Sequence, residues 1–217
     1  MNLTEYVRIF VRRGWIILLA AVLTAGSGYI FSKLQTPVFR STQKILVKPA
    51  RIDFGLTQSL KQVMDSWATR IDTELRAKEV IDALKLDMTP GALHELVHIT
   101  PDLNNLQLNV DVDSTRPDQA NRIASEYGSQ FIQWRNQENQ PTRLEDRINA
   151  ELLDAPQASL LRPNTKINVI AGALLGVLVG GVIIFALEFL DSNIVRSAKD
   201  VERYLQLSVL GNLPDTQ

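Results

Sequence analysis

The sequence has no cysteine, only two histidines and no long block of basic residues. Without cysteine, the chain gives no indication of its redox compartment. Without a basic block, it lacks the charge clustering that is typical of nucleic-acid-binding proteins. It also contains no Gly-x-Ser-x-Gly elbow and no Walker-type phosphate loop. These absences argue against a catalytic centre and against a bound cofactor, so the sequence predicts a protein that is not an enzyme.

Two long uncharged runs stand out in a chain that is 45% hydrophobic. Residues 14–32 and residues 167–187 contain no charged side chain and no proline. At about 1.5 Å per helical residue, each run is roughly as long as the hydrocarbon core of a bilayer is thick. The second run is apolar on every helix face, which disfavours a buried helix of a small soluble core. Each run is therefore predicted to be a membrane-spanning helix.

The two spans divide the chain into five predicted parts. These are a cytoplasmic tail at 1–13, the first span at 14–32, an extracytoplasmic domain at 33–166, the second span at 167–187 and a cytoplasmic tail at 188–217. A cleaved signal peptide is the alternative for the first run, whose apolar stretch is longer than a typical signal core. Lys and Arg residues near the spans are almost evenly divided, and short tails orient spans more strongly than long domains do. We therefore expect a multi-pass protein of the cell membrane with both termini in the cytoplasm.

The segment between the spans alternates strand and helix patterns. Period-two apolar residues predict strands at 36–48, 106–112 and 146–154. Apolar stripes and start signals predict three helices. The first has Thr57 as its cap, carries Leu75 on its apolar stripe and extends toward Leu86 with one break allowed. The second, capped by Thr89, extends from Pro90 to Thr100, and the third from Pro117 to about residue 140. The predicted fold class is an α+β domain, ordered strand–helix–helix–strand–helix–strand, with helices on one sheet face.

The segment His-Glu-Leu-Val-His, residues 94–98, has the spacing of a zinc-protease motif. On the predicted helix, His94 and His98 would share a face and Glu95 would be the general base. A catalytic zinc needs a third protein ligand, and the chain has no further His or Cys to supply one. Leu93, Leu96 and Val97 explain the pattern as an ordinary apolar helix face. A membrane-anchored zinc protease is thus only a remote alternative, and no metal site is predicted.

Two other patterns receive an ordinary structural interpretation. Asp111 and Asp113 resemble the Asp-x-Asp metal site of sugar-nucleotide transferases, but both are expected on the solvent-exposed face of a strand, in a domain outside the cytoplasm where nucleotide sugars occur. Trp67 and Trp134 lie on apolar helix stripes, which favours core packing over a platform for sugar stacking.

Three glycines in the second span follow each other at four-residue intervals: Gly172, Gly176 and Gly180. Small residues on one helix face allow two backbones to approach closely in a membrane. We therefore predict a packing role for these glycines, with either the first span or another subunit as the partner.

The arrangement of motifs along nearly the whole chain resembles the Wzz-type polysaccharide chain-length determinants, also called polysaccharide co-polymerases. Pro37 and Phe39 after the first span match the family pattern, as do Pro156 and Pro163 on the approach to the second span. The C-terminal tail is similar to the juxtamembrane segment of capsule-type members. The matching tail residues are Ser197, Asp200, Leu210, Gly211, Leu213 and Pro214.

Two departures from the family indicate which type of member the chain resembles. Longer members insert an extended helical hairpin before the second span, whereas only the helix ending near residue 139 stands here. Other members continue into a cytoplasmic tyrosine kinase, which this sequence does not reach by Gln217. The chain therefore resembles the short, kinase-less type.

The resemblance implies a role in the assembly of exopolysaccharide, capsule or O-antigen. It implies a homo-oligomeric ring in membrane lipid that sets polymer length beside a polymerase or its lipid-linked polysaccharide, with a separate cytoplasmic tyrosine kinase as a further partner. The tail residues expected to contact cytoplasmic partners are Asp200, Tyr204, Leu210, Gly211 and Pro214. The rival interpretation is a two-span sensor whose outer domain binds a ligand.

Overall fold

The computed structural model describes residues 3–51 and 53–192, which fall into two compact units. The first unit consists of two long helices, α1 (Leu3–Leu34) and α6 (Thr165–Ser192). Segments of both helices, Arg12–Leu34 and Thr165–Leu190, are long and apolar enough to cross a membrane. The two predicted spans lie inside these segments.

The second unit, Gln35–Pro163, is an α+β domain with one antiparallel sheet. Its strands are β1 (Val38–Pro49), β2 (Val97–Asp102), β3 (Gln107–Ser114), β4 (Ile148–Leu152) and β5 (Ala158–Arg162). Its helices are α2 (Phe54–Ile71), α3 (Glu74–Leu84), α4 (Pro90–Leu96) and α5 (Pro117–Asn139), with a short 3-10 turn at Leu144–Asp146. The α+β class predicted from the sequence is confirmed.

The sheet is built around β1, the longest strand. The strand order is β2-β3-β1-β4, and β5 also pairs with β1. On one side β1 pairs with β3 from Phe39 to Leu46. On its other side, β5 occupies the first part of β1 and β4 occupies residues 45–49. The central strand β1 therefore pairs with both β4 and β5 along one of its edges.

Alternation along the strands places apolar side chains toward the helices. Ile45, Val47, Leu108, Val110 and Val112 are fully or almost fully buried. They pack with apolar residues of α2, α3 and α5, including Leu60, Met64, Val80, Ile123, Tyr127 and Phe131. Burial at roughly 25 cal/mol per Å² of apolar surface makes this single layer the main source of stability in the domain.

Local signals explain where the helices begin. The side chain of Asp53 accepts a hydrogen bond from the Leu56 N–H and caps α2. Thr89 caps α4 and Pro90 follows at the first helical position, as predicted. Thr57, predicted as the cap of α2, lies inside that helix, because Asp53 offers a carboxylate three residues before the Leu56 N–H.

The predicted order of elements needs three corrections. The helix that starts at Pro90 ends at Leu96, and residues 97–102 form β2. A further strand, β5, forms where only a connection was predicted. The helix predicted from Thr57 toward Leu86 is broken once, into α2 and α3, as that prediction allowed, but Leu75 is exposed and is not part of the apolar stripe. The two strands that were not predicted form because β2 pairs with β3 and β5 pairs with β1. Such pairing is not visible in the local sequence pattern.

Candidate functional site

The predicted glycines of α6 lie against α1. A Cβ atom added to Gly172 would stand 2.6 Å from the backbone oxygen of Thr24, and one added to Gly176 would stand 2.5 Å from Cα of Ala21. A Cβ atom on Gly180 would stand 2.7 Å from Cα of Ile17. In each case backbone atoms, which cannot move as a flexible side chain can, stand in the way, and at Gly176 the Thr24 hydroxyl does as well. We call the contact of Gly172, Gly176 and Gly180 with α1 the glycine seam. On the α1 side of this seam, Gly28 is also a small residue, and it faces Asn168 of α6.

Polar pairs stand near both ends of the helix pair. The hydroxyl groups of Ser32 and Thr165 are 2.8 Å apart, and Ser32 is buried. Near the other end, a guanidinium nitrogen of Arg13 lies 3.8 Å from a carboxylate oxygen of Glu188. Close backbone contact between these ends leaves little freedom for one helix to slide along the other.

The two prolines before α6 flank the last strand of the sheet. Pro156 lies in the connection between β4 and β5, where the side-chain amide of Gln43 donates to the backbone oxygen of Asp154. Pro163 follows β5 directly. After it, the side chain of Asn164 accepts a hydrogen bond from the Ile167 N–H at the start of α6. Both prolines thus stand where regular hydrogen bonding stops.

The tail residues predicted to contact cytoplasmic partners lie outside the described residues. These are Asp200, Tyr204, Leu210, Gly211 and Pro214.

The helix predicted for the His-Glu-x-x-His segment is wrong. His94 lies on α4, whereas His98 lies on β2 opposite Asp111 of β3. The Nε2 atom of His94 is 3.1 Å from a carboxylate oxygen of Asp72, which explains its position without a metal. The two imidazoles therefore lack the one-turn helical spacing on which the zinc motif depends. Among the described residues, no group of three or more His, Asp or Glu side chains could hold a metal ion.

The two aspartates of β3 are bound by residues of β1. The Thr42 hydroxyl donates to Asp111. Arg40 donates from Nε and a terminal nitrogen to the two oxygens of Asp113, at 2.7 and 2.8 Å. Asp113 is only 5% exposed, so the prediction that it lies on the solvent-exposed face is wrong. The hydrogen bond from Arg40 holds the pKa of the Asp113 carboxyl below its usual value.

Trp67, Phe131 and Trp134 form a cluster between α2 and α5. Their ring centres are 5.5–6.3 Å apart. The Arg135 guanidinium lies 4.3 Å from the centre of the Trp67 ring, and Arg70 lies 5.1 Å from that of Trp134. Because rings and guanidinium groups cover one another, the cluster packs α2 against α5, and its ring faces are not free for stacking.

Sequence reasoning missed the buried polar end of α5. Arg135 and Asn139 are buried, and the side-chain amide of Asn139 donates to the backbone oxygen of Ile148 at 2.8 Å. Burial lowers the pKa of Arg135. The polar composition after Trp134 concealed this role. The spacing Tyr127, Phe131, Arg135, which continues the buried stripe by four residues each time, was the available signal.

The domain also contains surface cavities. One of them has a volume of about 540 Å³ and lies between the end of α3 and the start of α5. Its lining carries three basic side chains, Lys85, Arg116 and Arg122, and two acidic ones, Asp87 and Asp118. A smaller cavity of about 210 Å³ lies farther along the same two helices.

Comparison with known proteins shows which family and which proteins this chain resembles. Residues 1–84 match the Wzz family of chain length determinant proteins. The capsular polysaccharide biosynthesis protein CpsC of Streptococcus pneumoniae is 29% identical, over 99% of this chain and 94% of the relative. The probable capsular polysaccharide biosynthesis protein YwqC of Bacillus subtilis is 24% identical, over 91% of this chain and 81% of the relative. The capsular polysaccharide type 8 biosynthesis protein cap8A of Staphylococcus aureus is 23% identical, over 82% of this chain and 80% of the relative. The resemblance to the Wzz-type chain length determinants is thereby confirmed, and among its relatives are proteins of capsular polysaccharide biosynthesis.

Proposed function

We propose that this protein is a non-catalytic membrane component of capsule or exopolysaccharide assembly that regulates the chain length or export of the polysaccharide. The observation that carries the proposal is the similarity, over nearly the full chain, to proteins named for capsular polysaccharide biosynthesis. The family match at residues 1–84 covers α1, β1, α2 and α3.

The membrane arrangement follows from the two apolar helices. In our proposal α1 and α6 cross the cell membrane, the domain between them faces outward, and both termini are cytoplasmic. The lengths and compositions of Arg12–Leu34 and Thr165–Leu190 support the two crossings. Short tails orient a two-span protein more strongly than its long domain does, which supports the direction.

Regulation would proceed through shape and assembly, without chemistry by this chain. Several copies form a ring beside a polymerase or its lipid-linked polysaccharide. The glycine seam holds the two spans of one copy together, because its glycines face α1. Contacts between copies would then use other surfaces. Pro156 and Pro163 set the path by which the chain leaves the sheet for the membrane.

The C-terminal tail would connect this assembly to cytoplasmic partners. Its residues Asp200, Leu210, Gly211 and Pro214 match the juxtamembrane pattern of capsule-type members, and Tyr204 lies between them. We propose that this segment contacts a separate tyrosine kinase. Coupling between the outer domain and that kinase would require two arrangements of the assembly with different affinities for the kinase.

The test is the length of the polysaccharide made by cells that lack this chain. Surface polysaccharide is separated by size on a gel from wild-type cells, cells with the gene deleted and complemented cells. We expect deletion to change the size distribution or the exported amount and complementation to restore it. An unchanged distribution and amount would refute the proposed function.

A further inference from the structure

The smaller cavity between α3 and α5 has the composition of a carbohydrate site. It holds about 210 Å³, below the usual range for drug-sized ligands of about 300–1,000 Å³ and suited to a single ring. Its walls are mostly polar and contain three side-chain amides. The lining residues are Arg76, Glu79, Glu126, Gln130, Gln133, Trp134 and Gln137. We call this cavity the amide groove.

Two residues that line the amide groove each carry a buried polar atom that lacks a partner in the described part of the chain. Among the described residues, neither the indole N–H of Trp134 nor the side-chain oxygen of Gln130 has a hydrogen-bond partner, although both atoms are buried. Buried polar atoms in folded proteins are almost always paired, so this coincidence needs an explanation. An indole nitrogen only donates and an amide oxygen only accepts, whereas a hydroxyl group does both. Hydroxyl groups are therefore the kind of ligand group that complements both atoms.

Each charged side chain of the amide groove already has a partner within it. Arg76 lies 2.6 Å from Glu79, and the amide nitrogen of Gln130 donates to Glu126 at 3.0 Å. No net positive charge remains to attract a phosphate or carboxylate. Gln133 and Gln137 are exposed and free to donate and accept. This chemistry favours an uncharged ligand with many hydroxyl groups.

Recognition would proceed through hydrogen bonds, without ring stacking. Arg70 and Arg135 lie 5.1 and 5.2 Å from the centre of the Trp134 ring, and Trp67 meets it at 82°. The group of Trp134 that a hydroxyl group would bind is its N–H, which is buried and must first be uncovered. The half-buried Gln130 side chain must turn to admit a hydroxyl group, and its oxygen is held by no described residue.

We infer that the amide groove binds an uncharged hexose unit of the polysaccharide whose length this protein regulates. The inference rests on the proposed function, since that function brings a polysaccharide to the domain. A groove on each copy of the protein would give a ring of copies many weak contacts with one polymer.

Binding of extracted polysaccharide to the full chain in detergent tests the inference. The probe is a size-fractionated fragment of the uncharged surface polysaccharide of the host cells, measured by isothermal titration calorimetry. Trp134→Phe keeps an aromatic ring and removes the N–H, and we expect roughly fivefold weaker binding from the loss of one hydrogen bond. Gln133→Ala with Gln137→Ala changes two exposed helix positions and should weaken binding about 25-fold for two such bonds.

The matched control is Gln58→Ala with Gln62→Ala, two exposed amides one turn apart on α2. Its affinity should stay within about twofold of wild type because these amides are outside the groove. Thermal unfolding of every variant identifies any that fails to fold, and the exposed Gln133 and Gln137 pair provides a test that does not depend on Trp134. Equal affinity of the Gln133 and Gln137 variant and the control, or no saturable binding by wild type, would overturn the inference.

The same variants separate this inference from the proposed function and from another occupant of the groove. If deletion of the gene changes polysaccharide length while the groove variants bind like wild type, the proposed function stands and the inference fails. If Gln133→Ala with Gln137→Ala alters the mass of the oligomer and leaves polysaccharide binding intact, the groove is an interface between copies, and the inference fails.

Discussion

The Arg40–Asp113 pair illustrates how much one cross-strand contact contributes to the stability of the domain. Asp113 is buried in the sheet, and both of its oxygens accept hydrogen bonds from Arg40. Removal of the guanidinium would leave an almost buried carboxylate without its main partner. We expect Arg40→Met to lower the free energy of unfolding by about 2 kcal/mol, measured by denaturant titration of the full chain in detergent.

The same pair predicts an acid-sensitive contribution to stability. The hydrogen bond from Arg40 lowers the pKa of Asp113 in the folded state below the value of about 3.9 expected when the chain is unfolded. This contribution is therefore fully present above pH of about 4 and is lost as the pH falls through the folded-state pKa. Asp113→Asn should be less stable than wild type at neutral pH and lose less stability on acidification.

The control for this pH profile is Asp87→Asn, which changes an exposed loop carboxylate. Its unfolding temperature should follow that of wild type from pH 7 to below pH of about 4. If Asp113→Asn also followed the wild-type curve throughout this range, the ion pair would contribute nothing and the prediction would be wrong.

A second residue-scale prediction concerns Gly128 in α5. A Cβ atom there would stand 2.8 Å from Cδ2 of Leu152 and 2.9 Å from Cγ of the buried Gln43. Gly128→Val should therefore lower the free energy of unfolding by about 1–3 kcal/mol through overpacking. Gly91→Val is the matched control, since its Cβ atom would make only an ordinary 3.5 Å contact with Glu74. Equal losses in unfolding temperature for both variants would contradict the prediction.

At the scale of helices and strands, the glycine seam predicts that the effect of a substitution in α6 depends on the helix face that it occupies. Gly176 faces backbone atoms of α1, whereas a Cβ atom added to Gly181 would meet no described atom within 4 Å. Gly176→Leu should separate the helices and cost about 1–3 kcal/mol of stability. Gly181→Leu should have little effect and is the matched control on the same helix.

Cross-linking measures this separation because the chain has no cysteine of its own. Ser32→Cys with Thr165→Cys places two thiols where hydroxyl groups are 2.8 Å apart, and oxidation should link them within one chain. Adding Gly176→Leu should slow this reaction, and adding Gly181→Leu should not. Links formed mainly between chains would mean that the seam packs between copies.

Elements with strong local signals were predictable, and those that depend on partners were not. The proline start and apolar stripe of α5 predicted a helix that the structure gives as Pro117–Asn139. In contrast, β2 was concealed because Leu93, Leu96 and Val97 also fit one helix face. This segment forms a strand because Val97 pairs with Val112 and Ile99 pairs with Val110 of β3.

The candidate sites follow the same rule. The spacing of Gly172, Gly176 and Gly180 was visible in the sequence, because one helix determines which residues share a face. The Arg40–Asp113 pair depends on the register between two strands, and the amide groove depends on the packing of α3 against α5. Neither the register nor the packing can be read from local periodicity.

For the whole molecule, the decisive property is its orientation in the membrane. The absence of cysteine again provides the test, since each introduced thiol is unique. Asn104→Cys places a thiol in the exposed turn between β2 and β3, and Thr216→Cys places one in the C-terminal tail. With both termini cytoplasmic, a membrane-impermeant maleimide should label Asn104→Cys in intact cells and Thr216→Cys only after permeabilisation.

Each alternative arrangement gives its own experimental result, in the labelling pattern or in the mass of the mature chain. Cleavage of the first span as a signal peptide would leave the labelling unchanged but would shorten the mature chain by roughly 20 residues or more, which intact mass spectrometry detects. An inverted protein would label at Thr216→Cys in intact cells and be protected at Asn104→Cys. That inverted result would place the α+β domain in the cytoplasm, away from any polysaccharide growing outside the membrane, and would contradict the proposed mechanism for the whole molecule.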